Sequence, residues 1–380
     1  MTQYNLIATT TFGMEGVVKK EVKNLGFKDL EVSNGKVEFQ GNEKDICKAN
    51  LWLRSAERVQ IKVGEFKATD FDQLYDETKQ LPWDWFLTED AHFPVSGKSV
   101  KSELHHVPTC QSIVKKAIVD NLQERYNTSW FDEDGPTYKI EVALYKDTAT
   151  LTIDTSGRGL HKRGYRELSS PAPIQETIAS GMIQLSKWDP DRILIDPFSG
   201  SGTIPIEAAM RAKNIPPGLN RSFDFENWHL IKDKDWQNIR KEAKSKIKDD
   251  LEPRMIAGYD KEKEMVTMGR YHAEKAGVED IIHFQQKDFK NFSTNRKYGM
   301  IITNPPYGMR MSDQSKIEPL YKQMGEKLLP LDTWSFYILT AYEKFEKVFG
   351  KEASKRRKLY NGGIKVDYYQ YYGPFPPRDN

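Results

Sequence analysis

Apolar runs of strand character alternate with amphipathic segments of helical period from residue 171 to residue 342, and this alternation limits the fold more than any other feature of the chain. PAPIQETIASGMIQLSKW predicts a helix that starts after Pro171, and RILIDPF predicts a strand that runs into a glycine-containing turn. Helix IPIEAAMRAK, strand MIAGYD, helix KEKEMVTMGRYHAEKAG and strand IIHFQQKD follow, then strand GMIITNPP, helix EPLYKQMGEKLL and strand TWSFYILTAY. Strands that alternate with helices imply an α/β fold with a parallel sheet covered on both faces. Residues 214–254 interrupt the pattern with a charged, Trp-containing insertion. At the end, KLYNGGIKVDYYQYYGP places Asn361-Gly362 between two strand-like runs and predicts a terminal antiparallel hairpin.

The part before residue 161 reads differently. A single hydrophobic core stops growing near ~250–300 residues, so a chain of 380 residues is expected to hold two or three domains. Strand YNLIATT, helix MEGVVKKEVKNLGF, strand KVEFQG, a helix opened by Asn42 and strand RVQIKVGEFKA form a small α+β unit of split β-α-β type. A second unit follows with a helix up to Pro82, the extended HFPVSGKSVKS, and a helix near Pro108 with Ile113, Val114, Ala117, Ile118 and Leu122 on one side. A hairpin over 137–157 turns at Lys146-Asp147, and the basic GRGLHKRGYR leaves the unit. The expected domains are therefore 1–62, 63–160 and 161–380, the last carrying the insertion 214–254.

Several function classes are set aside. No run of 18 apolar residues could span a bilayer, and MTQYNLIATT lacks the basic and apolar parts of a leader, so the cytoplasm is expected. Cys47 and Cys110 have no ligand spacing, and the seven histidines are scattered, so no metal site is expected. Net charge is only +2. The basic residues are concentrated, however, in 157–166, with His161, Lys162, Arg163 and Arg166, and in 351–360, with Lys355, Arg356, Arg357 and Lys358.

Ligands of an open parallel sheet sit beyond the carboxyl ends of its strands. Those ends read DPFSGSGT at 196–203, YDKE at 259–262, KDF at 287–289 and NPPYG at 304–308. Gly200 and Gly202 let the backbone turn sharply beneath a bound molecule, but the dinucleotide fingerprint and the Walker motif are both missing. What remains is a ligand with an amino-acid end and a ribose. Asp260 can accept from ribose hydroxyls, Asp288 from an adenine amino group, and Asp196 favours a nearby ammonium or sulfonium. Together these suggest S-adenosylmethionine, with Pro197, Phe198, Thr203, Lys261, Phe289 and Asn304 completing its candidate contacts. Methyl transfer to an exocyclic amine needs acceptors aimed at its N–H bonds. The side-chain oxygen of Asn304 and the carbonyl of Pro305 can serve, stiffened by Pro305-Pro306, while Tyr307 offers a ring for an extruded base.

DPFSGSGT with NPPYG resembles the class I SAM-dependent methyltransferases that modify exocyclic amino groups of bases, over about residues 166–380. The Asn-Pro-Pro-Tyr element is shared by N6-adenine DNA and N2-guanine RNA methyltransferases. The N-terminal half, with LHKRGYR at 160–166 and PAPIQETIA at 171–179, is similar to the THUMP-containing RNA methyltransferases of RlmL type. This resemblance implies a Rossmann-like domain with a mostly parallel seven-stranded sheet at 161–380. It also implies a ferredoxin-like segment at 1–62, a THUMP domain binding structured RNA at 63–160, and N2 methylation of a guanosine in large-subunit (23S) rRNA. An N6-adenine DNA or a tRNA guanine-N2 methyltransferase stands as the alternative. The two basic runs, the first at the domain junction and the second preceding the final hairpin, would then hold RNA phosphates.

Overall fold

The structure is a computed structural model that describes residues 2–168, 173–249, 251, 255–307 and 311–377; Pro171, Ala172 and Gly308 of the motifs above lie outside the described residues. Two compact units result: 1–10, 19–160 and 222–242 make the first, and 11–18, 161–221 and 243–380 the second.

In the first unit the elements run β1 (Tyr4–Thr9), α1 (Glu15–Asn24), β2 (Glu31–Ser33), β3 (Lys36–Gly41), α2 (Glu43–Trp52) and β4 (Arg58–Lys67). They continue with α3 (Phe71–Lys79), β5 (Val95–Val100), α4 (Val107–Tyr126), β6 (Lys139–Tyr145) and β7 (Thr148–Asp154). Local chemistry explains the boundaries. Asn42 Oδ1 accepts from the amides of Lys44 and Asp45 while Asp45 Oδ2 accepts from Asn42 N, a reciprocal cap that starts α2. Lys146 and Asp147 both take positive φ, 51° and 61°, as a two-residue hairpin turn requires. On α4, Val114, Ala117, Ile118 and Leu122 are buried and Ile113 is half-buried.

All seven strands form one sheet, in the order β2-β3-β1-β4-β7-β6-β5. The two α+β segments expected at 1–62 and 63–160 thus share one sheet. β4 pairs with β1 on one side and β7 on the other, with a register shift between Lys62 and Gly64, so the 62/63 boundary falls inside a strand. Long-range pairing sets this, and no local pattern signals it. Part of the interrupting segment also belongs to this unit. Trp228 stacks on Tyr138 at 4.7 Å and donates from Nε1 to Thr137 O at 3.0 Å, and Asp224 pairs with Lys139 at 3.0 Å.

The second unit contains α5 (Glu176–Ser186), β8 (Leu194–Asp196) and α6 (Thr203–Ala212). After α7 (Asp233–Ser245) come β9 (Ile256–Asp260), α8 (Lys263–Ala276), β10 (Ile282–Gln286), β11 (Met300–Thr303) and α9 (Met311–Leu328). The unit closes with β12 (Ser335–Thr340), α10 (Phe345–Phe349), β13 (Lys355–Asn361) and β14 (Ile364–Tyr371). The sheet order is β10-β9-β8-β11-β12-β14-β13, with the first five strands parallel and the hairpin antiparallel. One face packs the apolar sides of α5, α6 and α8, the other those of α9 and α10, so strands such as SFYILT are apolar throughout.

The hairpin corrects two expectations. Lys355, Arg356, Arg357 and Lys358 do not precede it but form its first strand, at the sheet edge, where charged side chains oppose pairing with another chain. The turn is Gly362-Gly363, because Asn361 still pairs with Ile364.

Candidate active site

The strand order reverses between β8 and β11: the chain moves outward through β9 and β10, then returns to the other side of β8. Such a switch point opens a crevice at the carboxyl ends of the two strands. The two loops that flank it are DPFSGSGT and NPPY.

A hydrogen bond ties the two strand ends together. Thr303 Oγ1, closing β11, donates to Asp196 Oδ1 at 2.6 Å, and Phe198 N donates to the same oxygen at 3.1 Å. Asp196 is only 1 % exposed, and burial pushes its carboxyl up to about 7 against these two hydrogen bonds. Pro197 is buried, and Phe198 lies half-buried with its ring 5.0 Å from that of buried Phe289. Beyond it, Gly200 and Gly202 have φ of +50° and +89°. A Cβ at Gly202 would lie 2.8 Å from Phe284 Cζ, whereas one at Gly200 would meet nothing within 4 Å. The loop thus packs tightly on its inner side and leaves open space above Gly200, the cradle a bound cofactor needs. Asp260 fixes its height by accepting from Gly200 N at 3.0 Å and Glu262 N at 2.9 Å, one bond per carboxylate oxygen, so each keeps a lone pair. Lys261 is exposed and pairs with Glu262 at 3.7 Å. Asp288 caps the short helical turn after β10 by accepting from Lys290 N at 2.9 Å, and that hydrogen bond holds its carboxyl below the usual range.

Opposite, Asn304 is half-buried and Pro305 buried. Tyr321, itself in the core, donates to Pro306 O at 2.7 Å and contacts Thr340 Oγ1 at 2.8 Å, which anchors the proline loop to α9 and β12. Tyr307 is half-buried, and its hydroxyl donates to Asn304 Oδ1. That contact, invisible in the sequence, leaves the amide oxygen one lone pair.

The first basic run does not act as one surface. Arg163 is 2 % exposed and its Nε lies 3.4 Å from Glu207 Oε1 in α6, so it cannot reach a phosphate. Arg166 is half-buried; it donates to Thr203 Oγ1 and to Ile174 O at 3.0 Å and pairs with Glu176 at 3.4 Å. Both were expected to hold RNA and instead brace the start of α6 behind the glycine loop. A strand or helix periodicity that would have marked them as inward is missing from this irregular stretch. Lys162 is exposed and His161 half-buried. In the second run Lys355, Arg356 and Lys358 are exposed and Arg357 is half-buried, with Arg356 paired to Asp367 at 2.6 Å. Lys355 pairs with Gln370, which faces Tyr337 in the middle of β12, so only Lys358 is level with the strand end at Thr340. Sequence reasoning also missed His272. Its ring accepts from Leu168 N at 3.3 Å through Nε2, leaving Nδ1–H to donate to Ser201 O at 3.2 Å in the glycine loop.

Asp196 gives a pH dependence. Its folded value lies above the unfolded one near 3.9. The group therefore favours the fold fully below about pH 4, and that contribution is lost as pH rises to about 7. Asp196→Asn keeps an oxygen for Thr303 and Phe198 without the charge, and is expected to raise the unfolding free energy at pH 8 by up to about 4 kcal/mol relative to wild type. Urea unfolding at pH 4 and pH 8 checks this: the same difference between the two proteins at both pH values would contradict it.

Among the described residues there is no cluster able to hold a metal ion and no helix long and apolar enough to cross a membrane. Family models match most of the chain: the RlmL ferredoxin-like domain at 5–60, the THUMP domain at 68–154, and the RMKL-like methyltransferase domain at 163–370. The chain is 49% identical over 380 residues to a protein of Bacillus subtilis (strain 168) provisionally named RNA methyltransferase YpsC, covering 98% of it. It is 34% identical over 367 residues to the ribosomal RNA large subunit methyltransferase K/L of Psychromonas ingrahamii, of which it spans 48% of the length. A crystal structure from Listeria monocytogenes, assigned by prediction as an N6-adenine-specific DNA methylase, superposes with a TM-score of 0.93 at 48% identity, over 98% of this chain and 97% of that one. Another, of SMU.472, provisionally a methyltransferase and complexed with SAH, gives 0.92 at 45% identity over 99% and 100% of the two chains. With the glycine loop and the Asn-Pro-Pro-Tyr loop on adjacent strands of a Rossmann-like sheet, the chain belongs to the RMKL-like methyltransferase family, in the form that carries RlmL ferredoxin-like and THUMP domains.

Proposed function

We propose that this protein transfers a methyl group from S-adenosylmethionine to the exocyclic N2 amine of a guanosine in large-subunit (23S) rRNA, in the cytoplasm. The observation that carries the reading is the Thr303–Asp196 hydrogen bond, which couples the glycine cradle to the Asn304 loop across the switch point. The bound cofactor would supply an electrophilic methyl group on a sulfonium. The residues that would hold it are Gly200 and Gly202 through their backbone, Asp260 through its free lone pairs, and Phe198 and Phe289 through their rings. Asp196 sits too deep for a water-exposed contact, and a cation beside it would favour its ionised form.

On the acceptor side, Asn304 Oδ1 and the Pro305 carbonyl accept the two N–H bonds of the amine, which turns its lone pair toward the methyl donor. Tyr307 fixes the amide from the side and offers its ring to the base. The THUMP-matched segment 68–154 holds folded RNA while the domain at 163–370 receives the extruded base. Names of relatives support rRNA as the substrate class, since the K/L enzymes act on the large-subunit RNA.

Incubation of the purified protein with methyl-labelled S-adenosylmethionine and an unmodified 23S rRNA transcript is expected to label the RNA. Nucleoside mass spectrometry should then find the methyl on N2 of guanosine. Label in duplex DNA as N6-methyladenine, or in tRNA but not in rRNA, would replace this reading by one of its alternatives.

A further inference from the structure

The end of the β13–β14 hairpin carries a second surface. Asn361 makes the last pair of that hairpin, with Ile364. The preceding residue, Tyr360, meets Phe12 edge-on, with ring centroids 5.9 Å apart and planes at 81°. Lys358 Nζ lies 5.4 Å from the same Tyr360 ring.

Phe12 is 48 % exposed, yet it is not free to leave. Gly13, at φ +92°, lies against β13 so closely that a Cβ would stand 2.5 Å from Lys358 O, so only glycine lets the backbone dock there. A large aromatic ring is thus pinned in water beside a cation, and Lys358 has no carboxylate partner among the described residues, whereas Arg356 is neutralised by Asp367. The register places this patch on the site side of the sheet. Thr340, Asp367 and Lys358 are level across β12, β14 and β13, and Thr303 of β11 is level with Ile338, two residues before Thr340. Three strand spacings separate β11 from β13, about 14 Å, and Tyr360 lies two residues beyond Lys358 toward the loop side.

Resting on the RNA reading above, we propose that Phe12, Tyr360 and Lys358 form a subsite for a nucleotide that flanks the target in the RNA strand. The base stacks on the aromatic pair and Lys358 takes the adjoining phosphate. Stacking accepts any base, so the subsite grips an unpaired strand without reading it.

Phe12→Ala, Phe12→Trp and Lys358→Ala in the full-length chain test this, with the unmodified 23S rRNA transcript as probe. F12A is expected to weaken RNA binding and raise the RNA KM about tenfold, while kcat, cofactor affinity and melting temperature stay at wild-type values. F12W should restore binding, which a merely damaged fold would not allow. K358A should make the slope of log affinity against log salt shallower by about 0.7. RNA affinity in F12A equal to wild type overturns the subsite alone. Wild-type protein that binds no RNA overturns the RNA reading and the subsite with it.

Discussion

Asn304→Ala is expected to lower methyl transfer about a thousandfold, the size seen when a fixed polar group that acts on the reacting centre is removed, while RNA binding changes little. The amide oxygen stands just past the end of β11, with one lone pair taken by the Tyr307 hydroxyl and the other left for the amine in the reading proposed above. Among the described residues of the loop no other side-chain amide stands beside it: Pro305 and Pro306 hold the backbone rigid, and the Pro306 carbonyl is already occupied by Tyr321. The substitution leaves the surrounding structure anchored, because Tyr321 still ties the loop to β12. The loss therefore falls on kcat rather than on the RNA KM, as for an interaction made mainly in the transition state. Single-turnover methylation at saturating cofactor, compared with filter binding of the RNA, measures both. Transfer within fivefold of wild type would mean that Asn304 does not act on the amine.

The largest effect on stability is expected from Arg163. Its guanidinium and the Glu207 carboxylate are both withdrawn from water, and Tyr165 donates to the same Glu207 oxygen at 3.2 Å. Burial opposes the charge on Arg163, yet the Glu207 and Glu176 carboxylates hold its pKa above the ordinary value. Arg163→Ala leaves Glu207 buried and uncompensated, which costs about 3–5 kcal/mol. Removing both charges, in Arg163→Leu combined with Glu207→Leu, is expected to recover most of that loss, since well-packed apolar side chains replace buried ion pairs at little cost. Urea unfolding followed by circular dichroism separates the cases: a double variant as unstable as R163A would show that packing, not charge, sets the effect.

Arg163 also shows where the sequence stops being informative. GRGLHKRGYR has the composition of a solvated basic stretch, and no period of two or 3.6 residues marks which side chains turn inward. The partner that draws Arg163 inside lies in α6, 44 residues away. By contrast, the parallel part of the second sheet follows from short-range signals: strands such as MIIT and SFYILT are compact apolar runs, and they alternate with segments of helical period. Asn42 and the Lys146-Asp147 turn were readable for the same reason, because their hydrogen bonds and φ angles are made within a few residues. The candidate site was legible as a set of strand ends. The contacts that hold it, Thr303 to Asp196 and His272 to Ser201, span 107 and 71 residues and could only be seen once the chain was folded.

β4 has hydrogen-bonded neighbours along both of its edges, β1 on one and β7 on the other. The two halves of the N-terminal region are therefore not interchangeable parts. A fragment starting at residue 63 would lack the first half of β4 and leave the Thr152–Asp154 end of β7 with open amides and carbonyls, an edge that recruits other strands. Recombination that exchanged the RNA-holding region of one such enzyme for another's would succeed only where the whole seven-stranded sheet travelled together.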